Sequence, residues 1–120
     1  MASYNLGKDV IVLSEEFIKE TIMFLLTDLG EMYPLQITNG LKSMFKCNLE
    51  ADTFLRCMHS LEDKSAITMR HPQNVYKIRK DFIDTDFSNI KCLMQKHKDL
   101  KIKYDNFKKE FNNKDLLNNI

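Results

Sequence analysis

The side chains that could do chemistry are few and scattered. They are His59, His71 and His97, the thiols Cys47, Cys57 and Cys92, and the acid pairs Glu15/Glu16 and Glu62/Asp63. Nucleophilic catalysis needs a Ser or Cys beside a base, and a zinc site needs Cys or His at short, repeated spacing. The cysteines form no CxxC pair, and no HExxH, no Gly-x-Ser-x-Gly and no phosphate-cradling glycine loop is present. Three glycines in 120 residues leave little material for a backbone-lined anion loop. The acid pairs fall at helix ends, where capping and the helix dipole account for them. The expectation is a chain that is not an enzyme and uses no cofactor or metal. An odd number of thiols without a pairing pattern suits a reducing compartment.

Charge is the more informative signal. Residues 1–65 carry 6 Lys/Arg against 10 Asp/Glu, a balance of −4, whereas residues 66–120 carry 12 against 7, a balance of +5. Such asymmetry points to an acidic partner for the second half, nucleic acid among them. Arg70, His71, Lys77, Arg79 and Lys80 concentrate that charge in one short stretch.

The elements that must position these groups follow from periodicity. No apolar run reaches the roughly 20 residues of a membrane span, and MASYNLGKD lacks the layout of a signal peptide, so the expected setting is intracellular. Residues 1–9 read as polar and loose, and Val10 to Leu13 as a small strand or lead-in. Ser14 is placed to cap a first helix with Phe17, Ile18, Ile22, Leu25, Leu26 and Leu29 on its apolar side, and Gly30 ends it. Pro34 starts a second helix, with Leu35, Ile37, Leu41, Met44 and Phe45 inward and Gly40 either weakening it or allowing close approach of a neighbour. A turn over residues 46–48 leads to Asn48 as cap of a third helix, with Ala51, Phe54, Leu55, Met58 and Leu61 at core spacing and Cys57 as a buried thiol. The period then changes. Residues 66–70 and 75–79 flank the turn-rich His71-Pro72-Gln73-Asn74, a β-hairpin with Ile67, Met69, Tyr76 and Ile78 inward.

Residues 34–67 resemble the winged helix-turn-helix superfamily: an apolar second helix, a short turn, a third helix ending in Leu-x-x-x-x-x-Ile, and a hairpin. Here the ending is Leu61-Glu62-Asp63-Lys64-Ser65-Ala66-Ile67, with Ser65 where glycine is common, so the backbone there is expected to be held differently. The likeness spans about residues 14–80. It implies a third helix facing the DNA major groove and a wing facing phosphate. The outward third-helix positions are Glu50, Asp52, Thr53, Arg56, His59 and Ser60, and two acids against one arginine read a groove poorly. The expected contact with duplex DNA is therefore weak, sequence-independent and made by Arg70, His71, Lys77, Arg79 and Lys80, with Arg56 from the third helix.

From Thr85, capped by Asp84, Thr85 or Asp86, a last helix of about 26 residues, about 39 Å long, is expected. Ile90, Leu93, His97, Leu100, Tyr104, Phe107 and Phe111 alternate by three and four along it, a heptad seam. That length exceeds what a small domain covers, so the seam is expected to bind a larger protein partner, a hetero-oligomer before a homodimer, with folding back over the first helix as the alternative.

The resulting expectation is a mainly α chain with a small β-hairpin. Its parts are a lead-in at 1–13, a winged-helix domain at 14–83, a heptad-patterned interaction helix at 84–112 and a polar tail at 113–120. The function expected is that of a non-catalytic accessory subunit of a larger nuclear, nucleic-acid-associated complex, in transcription, recombination or DNA modification such as methyl transfer. The alternatives are a pure protein-interaction subunit and a homodimeric, sequence-specific transcription factor.

Overall fold

The computed structural model describes residues 2–6, 9–45, 50–79, 82 and 86–118. In chain order the elements are β1 (Ala2–Leu6), β2 (Asp9–Leu13), α1 (Glu15–Leu29), α2 (Pro34–Phe45), α3 (Ala51–Asp63), β3 (Ile67–Arg70), β4 (Val75–Ile78), α4 (Ser88–Lys96) and α5 (Lys98–Asn118). Mainly helical, with small antiparallel hairpins, the architecture matches the expected class.

Helix α1 is the axis. The Ser14 hydroxyl accepts the Phe17 N–H at 3.2 Å, and Gly30, at φ 92°, closes the other end by donating to the Leu26 carbonyl at 3.1 Å. Ile18, Thr21, Ile22, Met23, Phe24, Leu25 and Leu26 are all buried, so α1 is covered on several sides. Its neighbours are α2, α3, α4 and β4. Each fully buried aliphatic side chain of this kind stabilises by about 1.5–3 kcal/mol.

Three inward assignments are corrected around this axis. Leu35 is 70% exposed, because it lies two residues, and so more than half a turn, away from fully buried Ile37. On α3 the buried set is Phe54, Cys57, Met58 and Leu61, which leaves Ala51 and Leu55 on the solvent edge. The third helix begins after Glu50, whose side chain makes no cap bond; Asn48 and the turn at 46–48 lie outside the described residues.

Strand β3 pairs with β4 in antiparallel register, Ile67 opposite Ile78 and Arg70 opposite Val75, joined by the turn at residues 71–74. A second fastening ties this hairpin to the helices. Met32, between α1 and α2, exchanges backbone bonds with Tyr76 at 3.0 and 2.8 Å. Ser65 adopts φ 59°, the left-handed conformation that glycine favours, so the backbone here is held as a glycine would hold it, and the expectation of a different conformation is corrected. The first nine residues are also corrected. β1 pairs residue by residue with β2, from Ala2 opposite Leu13 to Leu6 opposite Asp9. The β-branched run of β2 supplies a ladder that the polar composition of β1 conceals.

The single long C-terminal helix is replaced by two. His97 is extended (φ −126°, ψ 98°), and it ends α4 and lets α5 turn. Ile90 and Met94 of α4 are buried, with Leu93 only half so; after the break Leu100, Tyr104, Phe107 and Phe111 are buried in turn. After the break the expected spacing is kept, and each helix meets a different part of the core. α4 lies along α1 and α5 along α2. Gly40 is the close approach: a Cβ there would meet Phe107 Cε2 at 3.0 Å and Leu25 Cδ1 at 3.2 Å. α5 also continues to Asn118, so the polar tail expected from residue 113 is helical in its first part.

Candidate nucleic-acid and partner interface

The two surfaces expected to bind other molecules fare differently. Of the seam, Ile90, Leu100, Tyr104, Phe107 and Phe111 lie in the chain's own core, while Leu93 and His97 are half-buried. Folding back over the first helix describes α4, while α5 packs chiefly on α2, so these five seam residues are covered within the chain instead of being presented to an outside partner. The physical reason is the break at His97. Two helices broken at His97 can wrap a small core that one straight helix would overshoot.

Polar contacts fix this wrapping. The Tyr104 hydroxyl donates to the Asp28 carboxylate of α1, and Lys108 Nζ pairs with the same group at 3.1 Å. Burial first, then the Asp28 bond, raises the Tyr104 pKa far above that of a free phenol. Phe24 of α1 packs between Phe87 and Tyr104, with ring centroids 5.8 and 5.3 Å away. At the start of α4 the N-cap is Phe87, in the left-handed region and without a capping side chain, instead of Asp84, Thr85 or Asp86. Of those, Asp84 and Thr85 lie outside the described residues. The missing acceptor comes from α1. Glu20 takes the Ile90 N–H at 2.9 Å and the Asn89 amide at 3.1 Å.

The cationic residues are brought to the surface but not into one cluster of free charge. Arg70 is held by Glu31 at 2.5 Å and by Gln73 at 2.9 Å, and Arg56 by Glu15 at 2.8 Å. Both guanidinium pKa values are raised, primarily by these hydrogen bonds. His71 faces Asn74 across its own turn, Nδ1 to Oδ1 at 3.1 Å. Lys77 and Arg79 are exposed two residues apart on one outward side of the β4 end, and Lys80 lies outside the described residues. The outward face of α3 keeps Glu50 and Asp52, with Leu55 exposed between Arg56 and the helix start.

Glu15 and Glu31 are the residues that local reading misses, since each meets its arginine across about 40 positions of chain. Their only local signal was position, at the start of α1 and just after Gly30. The base of the wing is tied down similarly, with the Tyr76 hydroxyl donating to Glu62 at 3.0 Å and its pKa pushed up to about 12, chiefly by burial. Cys57 is buried, its thiol 3.8 Å from the Glu15 carbonyl, and burial pushes its pKa up, away from the thiolate a nucleophile needs. Among the described residues no group of three His, Cys, Asp or Glu could hold a metal ion, and no helix is long and apolar enough to cross a membrane. Comparison with family models, curated proteins and solved structures finds no match for this chain.

Proposed function

We propose that this chain is a non-catalytic winged-helix module, an accessory subunit of a larger nuclear, nucleic-acid-associated complex, whose main role is protein docking and whose contact with duplex DNA is weak and sequence-independent. The element order supports the fold assignment: three helices followed by a hairpin, which the Met32–Tyr76 bridge anchors to the helical body. An anchored hairpin can present Lys77 and Arg79 on a fixed base. The observation that carries the functional reading is the α3 surface. Its one arginine is engaged by Glu15, while Glu50 and Asp52 face outward beside exposed Leu55. A helix so arranged repels phosphate and offers an apolar contact of the kind that a protein partner covers.

The test is binding of the whole chain to an arbitrary DNA duplex across a salt titration. The expected dissociation constant is in the roughly 10⁻⁴ to 10⁻⁶ M range of non-specific binding, with a log–log salt slope that loses about 1.8 in K77A/R79A, about 0.9 per phosphate contact removed. Tight binding to one sequence, abolished by Arg56→Ala, would overturn this in favour of a sequence-specific factor. The ion pairs at Arg56 and Arg70 favour a second reading, a pure protein-interaction subunit. Absence of any duplex or single-strand binding at low salt selects it, and affinity capture of the tagged chain with its stoichiometric partners then names the complex.

A further inference from the structure

We propose that the outward face of α4, with the corner where α4 meets α5, is a phosphate-contact surface for duplex DNA, stronger than the wing; this rests on the DNA half of the reading above and assigns most of that contact to a different element. Residues 87–98 contain no Asp or Glu, and their charged side chains are Lys91, Lys96 and Lys98. All three lysines are exposed. The opposite side of α4 is fixed in the core by Ile90 and Met94, so the helix cannot roll to hide them.

Local carboxylates leave this charge available. Among the described residues Lys19, Arg56, Arg70, Lys101 and Lys108 are held in ion pairs, whereas Lys91, Lys96 and Lys98 face no carboxylate in an ion pair. Glu20, the acid nearest the helix start, is occupied by the Ile90 N–H and the Asn89 amide, and Asp86 and Asp99 flank the stretch. Lys91 Nζ lies 6.0 Å from the Phe87 ring centroid, a cation–π contact that orients the ammonium without neutralising it. The extended backbone at His97 puts Lys96 and Lys98 on either side of the corner.

Five residues of helical rise separate Lys91 from Lys96, about 7.5 Å, or about two phosphates of one DNA strand, and Lys98 follows just across the break at His97. An amphipathic membrane contact or a protein hot spot would need an apolar anchor on the same face. α4 has no exposed large apolar residue among those described; Ile102, the nearest, is on α5. Phosphate requires only the cations and polar donors that Gln95 and Ser88 add.

The deciding experiment is fluorescence anisotropy of the full chain with an arbitrary duplex between about 50 and 200 mM salt, comparing wild type, K91A/K96A/K98A, the corresponding triple arginine variant and K77A/R79A. The alanine triple should lose about 2.7 of the log–log slope, more than the roughly 1.8 expected of the wing variant. The arginine triple should retain wild-type binding, and thermal melts should coincide because all three positions are exposed. If wild type binds and the alanine triple binds equally well, the assignment to α4 falls and the wing reading stands. If wild type binds neither duplex nor single strand at 50 mM salt, the DNA half of the proposed function falls and this surface with it. Lysine-dependent binding to phosphatidylserine vesicles without duplex binding would overturn the proposal in favour of a membrane surface.

Discussion

Helices α3 and α4 rest on the same support and present opposite surfaces. Each lays an apolar stripe against the α1-centred core, Phe54, Cys57, Met58 and Leu61 from one, Ile90 and Met94 from the other. Outward, α3 shows Glu50, Asp52, Glu62 and Asp63, and its single arginine is bound by Glu15; α4 shows Lys91 and Lys96 with no acid of its own. The packed stripe is set by what the core can accept, whereas the free face is constrained only by what the helix meets in solution. A helix's place in a fold pattern therefore says which side is packed, and the chemistry of the other side has to be read separately. By order alone α3 would be the candidate for nucleic acid; by charge the candidate we propose is α4.

This comparison presumes that both helices belong to one cooperative unit, and the largest expected effects test that. Leu61 of α3 and Leu100, just past the α4–α5 corner, are 3% and 0% exposed. Leu61→Ala and Leu100→Ala should each destabilise the chain by about 2–5 kcal/mol, by lost burial plus the cavity left behind. Urea unfolding followed by helical circular dichroism and by tyrosine fluorescence should stay coincident in both variants. Separate melting of the C-terminal helices in Leu100→Ala would show that α4 is an appendage, and the equivalence with α3 would be broken.

Much of this arrangement was legible in the sequence. The ends of α1, the Pro34 start, the hairpin register and the close approach at Gly40 all follow from local rules, and each is present. What was not legible depends on contacts distant in sequence. The seam from Ile90 to Phe111 has the spacing of a coiled coil, and spacing does not say whether the facing surface is another molecule or α1 and α2 of the same chain. His97 is neither Gly nor Pro, so no local breaker announced the corner that makes the second outcome possible. The cations expected at the DNA face were read as free charges because Glu15 and Glu31, which hold Arg56 and Arg70, are remote in sequence.

The helix starts sharpen the contrast at a smaller energy. α3 begins at Glu50 without a side-chain cap bond, while α4 borrows its acceptor from Glu20 of α1. Glu20→Ala should cost about 0.5–2 kcal/mol, the usual worth of a lost helix cap with its charge near the dipole. Glu50→Ala should change stability by less than about 0.5 kcal/mol, as for surface positions without a special contact. Equal costs in denaturant titrations would mean that the Glu20 bonds contribute nothing and that α4 is held by packing alone.

The smallest effect concerns how α3 ends. The Ser65 N–H donates to the Glu62 carbonyl at 2.9 Å and the Ala66 N–H to the Leu61 carbonyl at 2.9 Å, the paired bonds of a helix terminus closed by a left-handed residue. Ser65 holds that position at φ 59° with its side chain exposed. A non-glycine residue in this region costs about 1–2 kcal/mol, and glycine loses part of that advantage by its greater freedom when unfolded, about 0.5–1 kcal/mol. Ser65→Gly should thus stabilise the chain by about 0.5–1 kcal/mol, read as a higher urea midpoint at unchanged slope. Phe87 has the same backbone sign before α4, but its ring is buried against Phe24, so no such gain is expected there. A loss of stability in Ser65→Gly would mean that the serine side chain contributes to closing α3, and that glycine is not the better residue for this turn.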